Sequence, residues 1–326
     1  MEKPIRVFVI IPTLNEARGV GWVIANCRRT LKDIDHEIII VDGYSTDGTA
    51  EIAESLGAKI LHEKQKGYGS ALITGFNEVL QNQQESEKNG KYEDIITLMD
   101  ADSTYDPADI PNLLTALQNN GADMVIGNRF AGMRRGAMTQ LNRIGNHFFT
   151  ILLNRLYGLN INDSQSGMRA IKARSLRKMH LEASGMPLAS EMLIEAKKRG
   201  LNVVEIPITY GRRIGQPKLQ PLRDGWRIAL TMMRLSTDFN PMLTFGGLAF
   251  LFLIAAGGTG IYTLYGWYMW NYHGWNTWPR MGSATLSAMF FMTSVILFSF
   301  GLLLDAVLRV LRAIRVLMEE IHERQP

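Results

Sequence analysis

Short apolar runs alternate with helix-type patterns over the first two thirds of the chain. The apolar runs are rich in β-branched residues and end at Gly, Pro, Asn or Asp, as expected for buried strands. The predicted strands are Ile5–Ile11, Glu37–Val41, Ala58–Leu61, Ile95–Met99 and Met124–Ile126. The predicted helices are Ala17–Leu31, Thr49–Leu56, Ser70–Leu80 and Ala108–Leu117, and the polar stretch Gln81–Lys91 is predicted to be a surface loop. This order predicts an α/β domain over residues 1–215 with a mostly parallel sheet.

The last third of the chain is much more apolar. No Asp, Glu, Lys or Arg occurs between Asp238 and Arg280, or between Arg280 and Asp305. Because about 20 apolar residues cross a bilayer core, we predict two transmembrane helices, at about 242–267 and 284–304. They lie within a membrane segment over residues 241–320, which follows a juxtamembrane amphipathic segment over 216–240. The alternative is a pair of buried helices in a soluble protein.

Arginines flank the two apolar segments. Three precede the first segment and three follow the second, while the connecting loop holds only Arg280; the six flanking residues are Arg223, Arg227, Arg234, Arg309, Arg312 and Arg315. The positive-inside rule then predicts that both termini and the α/β domain are cytoplasmic. The first apolar run, Val7–Ile11, is too short for a signal peptide. We expect the bilayer as a partner, and the apolar segments as a surface for homo-oligomers.

Overall charge and cysteine content narrow the choice of function. The 35 Lys and Arg residues outnumber the 31 Asp and Glu residues only slightly, for a net charge of +4. This mild excess gives no reason to expect a nucleic-acid partner. A single cysteine, Cys27, excludes an intramolecular disulfide framework and a cysteine-based zinc cluster.

Polar and acidic residues follow three of the predicted strands. The motifs are Pro12-Thr13-Leu14-Asn15-Glu16, the stretch Asp42–Thr49, and Asp100-Ala101-Asp102. One such loop would be ordinary turn chemistry. Ligands of parallel sheets bind beyond the carboxyl ends of the strands, so the three loops together indicate a nucleotide site.

The Asp100-Ala101-Asp102 triplet follows a fully apolar strand, which places two carboxylates at the mouth of that strand. Two carboxylates so close repel each other unless a cation neutralises them. Oxygen ligands suit Mg²⁺ or Mn²⁺, which take one or two carboxylates together with substrate phosphates. We therefore expect Asp100 and Asp102 to bind Mg²⁺ or Mn²⁺. The alternative is an exposed acidic turn.

These strand-end motifs resemble those of glycosyltransferase family 2 in order and spacing, and Lys66–Ala71 resembles the glycine-rich helix start of that family. Further motifs resemble the membrane-anchored polyprenyl-phosphate (dolichyl-phosphate) hexosyltransferases within it: Gly127-Asn128-Arg129, Asp163–Arg169, Glu191, Glu205-Ile206-Pro207 and Arg212–Lys218. The resemblance covers about residues 5–235. It implies a GT-A nucleotide-sugar-binding fold followed by two C-terminal transmembrane helices.

The resemblance also implies roles for individual residues. The donor would contact Pro12, Asn15, Glu16 and Asp42 at its base and ribose, Lys66 and Gly67 beside the nucleotide, and Asp100 and Asp102 through the metal. Arg129 would meet the phosphate of the acceptor, and Asp163 would lie near the sugar. The basic residues Arg212, Arg213 and Lys218 would close over the phosphates, with Lys218 counted as catalytic.

Several positions depart from the family pattern. Gly43 stands where many relatives have a second Asp, and Pro217 where they have Ser. Thr104 takes the place of a Gln that is a third metal-side ligand in some relatives. Met138 stands where some relatives have a second arginine for the acceptor phosphate, and the candidates to replace that arginine are Arg134, Arg135 and Arg143.

The expected reaction is inverting transfer of a hexose from a nucleotide sugar to polyprenyl or dolichyl phosphate. UDP-glucose or a similar UDP-hexose is favoured as donor over GDP-mannose. Asp163 is expected to orient sugar hydroxyls and to pair with Arg169, although a role as general base is open. The alternatives are a transferase that acts on a sugar hydroxyl and an inactive nucleotide-binding membrane scaffold.

A lipid acceptor needs an apolar surface beside the site. Apolar residues recur at helical spacing from Leu141 to Leu156, with Arg143 and Arg155 among them. This stripe is suited to the membrane interface. The alternative is a helix that packs on the core.

Overall fold

The computed structural model describes residues 4–63, 65–87, 92–119, 121–214, 223, 225–231, 241–273 and 281–323. Two compact units make up the chain, Met1–Met232 and Met233–Pro326. The first contains all the strands that the structure describes, and the second contains two long helices. We describe each unit by itself.

The first unit is built on one seven-stranded sheet. The strands are β1 Ile5–Thr13, β2 Asp35–Asp42, β3 Lys59–His62, β4 Glu93–Leu98, β5 Met124–Met133, β6 Arg169–Lys172 and β7 Val203–Tyr210. Their order across the sheet is β3-β2-β1-β4-β6-β5-β7. Strand β6 is antiparallel to both of its neighbours, and the other pairs are parallel. The prediction of a mostly parallel α/β sheet is therefore confirmed.

The first five strands match the predicted apolar runs, but β6 and β7 were not predicted. Strand β6 is four residues long and begins and ends with a basic residue, yet all four residues are buried. Such a segment lacks the apolar pattern from which a strand is recognised. Strand β5 also extends well beyond its predicted end at Ile126.

Helices surround the sheet. Their bounds are α1 Ala17–Thr30, α2 Thr49–Ser55, α3 Tyr68–Glu87, α4 Ile110–Asn119, α5 Gln140–Tyr157, α6 Ala173–Leu176 and α7 Leu188–Lys198, with a 3₁₀ turn at Pro107–Asp109. The prediction of a loop over Gln81–Lys91 was wrong for residues 81–87, which continue α3; residues 88–91 lie outside the described residues. Gln and Glu are good helix formers, and no Gly or Pro interrupts this stretch.

Helix α5 has two different faces. Its inner side, which includes Leu153 and Tyr157, is buried. Its outer side exposes a row of large apolar residues: Leu141, Ile144, Phe148 and Ile151. The stripe predicted from the sequence thus divides between core packing and an exposed apolar face. Residues 225–231 are also helical and expose Trp226 and Leu230; most of the predicted juxtamembrane segment lies outside the described residues.

The second unit consists of α8 (Pro241–His273) and α9 (Met281–Glu323). Each contains a stretch long and apolar enough to cross a membrane, Thr244–His273 and Gly282–Leu308, and only 11% of the most apolar window of each is buried. Buried core helices would be largely covered, so this exposure favours the membrane interpretation. Hydroxyl groups join the two helices: Ser287 and Ser294 donate to the carbonyls of Ala256 and Ala249 at 2.8 Å.

Gly19 lets α1 approach the acidic loop that follows β4. A Cβ atom at this position would lie 2.4 Å from the carbonyl oxygen of Ala101, between Asp100 and Asp102. At Gly21, on the same helix, a Cβ would make an ordinary 3.5 Å contact with Ile52. The absence of a side chain at Gly19 therefore permits the close approach of the helix to the loop.

We predict that Gly19→Ala destabilises the protein by about 1–3 kcal/mol, because the methyl group collides with backbone. Gly21→Ala is the matched control and should stabilise by up to about 1 kcal/mol through helix propensity. The measurement is thermal unfolding of the full chain in detergent. Equal unfolding temperatures for the two variants would contradict the close approach.

Candidate active site

The ends of β1 and β2 are tied together by hydrogen bonds. Thr13 is in register with Asp42, and its hydroxyl donates to the buried Asp42 carboxylate at 3.0 Å. The backbone N–H of Ser45 donates to the other oxygen of Asp42 at 2.8 Å. Pro12 lies half-buried in β1 opposite Val41. The carboxylate of Asp42 is thus fixed at the mouth of β2.

Asn15 organises the loop after β1. Its backbone is left-handed, with φ 50°, a conformation that Asn adopts more readily than most residues. Its side-chain oxygen accepts a hydrogen bond from the N–H of Thr46 at 2.8 Å, and its N–H donates to Ser45 at 2.8 Å. The loops after β1 and β2 therefore form one hydrogen-bonded surface.

Asp100 and Asp102 lie at the end of β4. Asp102 accepts hydrogen bonds from the N–H and hydroxyl of Thr104 at 3.0 and 2.6 Å, so Thr104 orients this carboxylate. The hydroxyl of Tyr68 donates to Asp100 at 3.0 Å. Burial, and then the charge of Asp102, raise the pKa of Asp100 to about 7.

This acidic pair fits a divalent cation shared with a ligand. Among the residues that the structure describes, no three His, Cys, Asp or Glu side chains form a metal-binding group. Mg²⁺ and Mn²⁺ do not require one, because phosphate oxygens and water complete their coordination. The repulsion between Asp100 and Asp102 is the electrostatic feature that such a cation would relieve.

Arg213 bridges two of the predicted site residues. One terminal nitrogen contacts the carboxylate of Glu16, and the other lies 3.2 Å from an oxygen of Asp102. The backbone N–H of Ile214 also donates to the carbonyl of Asp102 at 3.0 Å. The segment after β7 is thereby held against the loops after β1 and β4.

For the other predicted basic and glycine residues, the structure gives no contact with the acidic pair among the residues that it describes. Arg212 is exposed and donates to the carbonyl of Arg135 at 3.2 Å, and Lys66 is exposed. Lys218 lies outside the described residues, as does Pro217. A Cβ at Gly67 would lie 2.2 Å from the carbonyl oxygen of Ser184, so this glycine permits close packing of two loops.

Arg129 and Asp163 form a buried ion pair. The Nε and Nη2 atoms of Arg129 donate to the two oxygens of Asp163 at 2.7 and 2.8 Å, and the backbone N–H of Arg129 donates at 3.0 Å. The pairing of Asp163 with Arg169 that we expected was wrong as a hydrogen bond. Arg169 donates instead to the carbonyls of three residues, Ser164, Ser166 and Ala189.

Glu205 in β7 holds the backbone that carries Asp163. Its carboxylate accepts hydrogen bonds from the backbone N–H groups of Asn162 and Asp163 at 2.9 and 2.8 Å and from the side chain of Asn162 at 2.7 Å. The Glu205-Ile206-Pro207 motif carries part of the family resemblance, but it predicts no role for Glu205. An acidic residue inside a strand-like segment was the available signal.

Three tyrosines lie beside the acidic pair or the ion pair, and the sequence analysis did not single them out. Besides Tyr68, they include Tyr105, whose hydroxyl accepts from the N–H of Gly167 at 2.7 Å. The ring of Tyr210 lies 5.4 Å from the guanidinium carbon of Arg129 and packs edge-on to Tyr105. The site thus combines carboxylates, buried arginines and aromatic side chains.

Comparisons with known proteins identify the family. The family model described as glycosyl transferase family 2 matches residues 8–179. Glycosyltransferase AglJ of Haloferax volcanii is 32% identical over 99% of this chain and 100% of its own. The dolichyl-phosphate hexose transferase of the same organism is 33% identical over 71% of this chain and 93% of its own.

A solved structure shares the fold. Glucosyl-3-phosphoglycerate synthase from Mycobacterium tuberculosis, in complex with Mn²⁺, UDP and glucosyl-3-phosphoglycerate, matches with a TM-score of 0.55. The match covers 72% of this chain and 80% of the other, at 21% sequence identity. The first unit is therefore a mostly parallel α/β domain of the GT-A type.

We predict that Asp163→Asn destabilises the protein by about 3–5 kcal/mol, because it leaves Arg129 charged and buried without its partner. The matched control is Asp94→Asn, which breaks a similar two-bond pair with Arg6. Arg6 is one-quarter exposed, so water compensates part of its loss. Urea unfolding of the full chain measures both. A loss for Asp163→Asn no larger than for the control would contradict the analysis.

Proposed function

Because the chain belongs to glycosyltransferase family 2, we propose that it transfers a hexose from a nucleotide sugar to polyprenyl or dolichyl phosphate, with inversion at the anomeric carbon. The observation that carries the proposal is the acidic pair Asp100 and Asp102 within electrostatic reach of the buried Arg129. The acidic pair suits the donor diphosphate with its metal, and the arginine suits a second phosphate. A relative that matches most of this chain is named a dolichyl-phosphate hexose transferase.

An acceptor of this kind needs no strong general base. The oxygens of a phosphate monoester are largely ionised near pH 7, with a second pKa of about 6. Asp163 accepts three hydrogen bonds from Arg129, which favours a positioning role over proton abstraction. Two of the three guanidinium nitrogens of Arg129 donate to Asp163, and the third, Nη1, would meet the acceptor phosphate.

The donor is assigned to the surface formed by the first four strands. Pro12, Asn15 and Asp42 would line the nucleoside side, and Asp100 and Asp102 would hold Mg²⁺ or Mn²⁺, which would supply charge stabilisation to a departing diphosphate. Glu16, Lys66, Gly67, Arg212, Arg213 and Lys218 complete the donor side. UDP-glucose or a similar UDP-hexose is the favoured donor, and GDP-mannose is the alternative.

The lipid acceptor reaches the site from the membrane. Helices α8 and α9 would anchor the chain, and the arginines that flank them in the sequence support a cytoplasmic side for both termini and the catalytic unit. The exposed apolar face of α5 is supported as a membrane-facing surface by the adjacent basic residues Arg143 and Arg155. The acceptor phosphate would then lie at the headgroup level.

We predict that the purified protein transfers labelled hexose to polyprenyl phosphate only with Mg²⁺ or Mn²⁺ present. Excess EDTA should abolish transfer, and Asp102→Asn should lower it at least about 100-fold, since metal charge stabilisation is worth several kcal/mol. The matched control is Asp106→Asn, which alters a nearby carboxylate that caps the 3₁₀ turn. A panel of UDP- and GDP-sugars identifies the donor.

Other outcomes of this assay separate the alternatives. A lipid product that mild acid cleaves supports the proposal. Label in a product linked through a sugar hydroxyl would favour a different transferase, and nucleotide binding without turnover would favour a scaffold. Full turnover in EDTA would contradict the role of Asp100 and Asp102.

We predict that the double substitution Ile144→Gln and Phe148→Gln raises the KM for long-chain polyprenyl phosphate in vesicles about 10-fold. Full burial of one such side chain is worth about 1.5–3 kcal/mol, and shallow insertion of the two at the interface, worth about 1.4 kcal/mol in all, corresponds to the 10-fold change. The KM for a short, water-soluble isoprenyl phosphate should not change. Trp22→Gln, an exposed apolar residue on α1, is the control. An equal effect on both acceptors would indicate a packing role for α5.

A further inference from the structure

Tyr44 combines a left-handed backbone with an exposed aromatic ring. Its φ is 62°, and the residue is 61% exposed. Among the described residues, the only other non-glycine residues with positive φ are Asn15 and Ser103. All three lie in loops that follow strands of the site. Bulky side chains rarely adopt this conformation, and strained residues of this kind cluster at functional sites.

Burial of the Tyr44 side chain does not offset the free-energy cost of this backbone conformation. The ring of Tyr44 is stacked on that of His62, with centroids 5.1 Å apart and planes 12° from parallel. The side chain of His62 is itself 53% exposed, and its Nδ1 lies 3.9 Å from the fixed carboxylate of Asp42. A stacked pair on the surface contributes little to the core, but it presents a flat aromatic face to a ligand.

The order of the strands relates the stacked rings of Tyr44 and His62 to the acidic pair Asp100 and Asp102. Asp100 and Asp102 follow β4, Tyr44 follows β2, and His62 ends β3, in the sheet order β3-β2-β1-β4. Neighbouring strands are about 4.8 Å apart, so β2 lies about 10 Å from β4. A ribose and a diphosphate bridge such a gap. A diphosphate at the acidic pair would therefore place its base over β2 and β3.

We propose that Tyr44, backed by His62, is the platform on which the nucleobase of the donor stacks. The inference rests on the proposed function, because it requires a nucleoside diphosphate with its phosphates at Asp100 and Asp102. Every base has an aromatic face, so the platform binds the base without selecting between uracil and guanine. The left-handed φ of Tyr44 is then a cost of presenting the ring at this place.

The test is calorimetric titration of the full chain in detergent with UDP, GDP and inorganic pyrophosphate, each with Mn²⁺. We expect Tyr44→Gly to weaken the binding of the nucleotide that the unaltered protein prefers by about 10-fold or more, the range of base–aromatic stacking. Pyrophosphate binding should stay unchanged. Tyr44→Phe should retain the affinity, and Trp22→Ala is the control for loss of an exposed aromatic residue elsewhere.

The same variants separate function from folding. Glycine accepts φ near 62° without strain, so Tyr44→Gly should unfold at the same temperature as the unaltered protein or higher. Unchanged nucleotide affinity in Tyr44→Gly, or an equal loss for nucleotide and pyrophosphate, would overturn the platform alone. Failure of the unaltered protein to bind either nucleotide with Mn²⁺ would overturn the proposed function as well.

Discussion

Negative charge gathered at the carboxyl ends of the strands is the constraint on which the site depends. Asp100 and Asp102 lie close enough that burial and mutual repulsion raise the pKa of Asp100. Three groups stabilise these carboxylates. The hydroxyl of Tyr68 donates to Asp100, and the hydroxyl of Thr104 and the guanidinium of Arg213 contact Asp102. Each of these comes from a different part of the chain, so the negative charge that would suit a cation also holds the loops together.

Most of the sheet could be predicted because its central strands are covered on both faces. In β1, consecutive residues such as Val9 and Ile10 face opposite sides of the sheet and are both buried, which produces a continuous apolar run. Strand β6 could not be found in this way, since the burial of Arg169 depends on donating to three carbonyls, two from the loop just before the strand and one from Ala189, 20 residues along the chain. The end of α3 was missed because its polar composition is equally typical of a loop.

The candidate site was predictable where chemistry follows directly from a strand end. Asp42, Asp100 and Asp102 were expected from position alone. The partner of Arg129 was not, because Asp163 lies 34 residues away and its placement depends on Glu205, which is 42 residues further along. Pairings between residues so far apart cannot be predicted from the local sequence around each of them. The left-handed φ of Tyr44 was likewise invisible, since the residue type disfavours it.

The two arginines of the site differ in how firmly they are held, and this difference matches the roles assigned to them. Arg129 is buried, makes three hydrogen bonds to one carboxylate, and rests on a framework that Glu205 fixes. Arg213 reaches two separate carboxylates with one nitrogen each and is partly exposed. A bidentate pair fixes direction as well as distance, so Arg129 suits a phosphate that must be aligned for attack. Single contacts to Glu16 and Asp102 fix direction less, which suits a cation that has to adjust when a metal and a diphosphate share the same carboxylates.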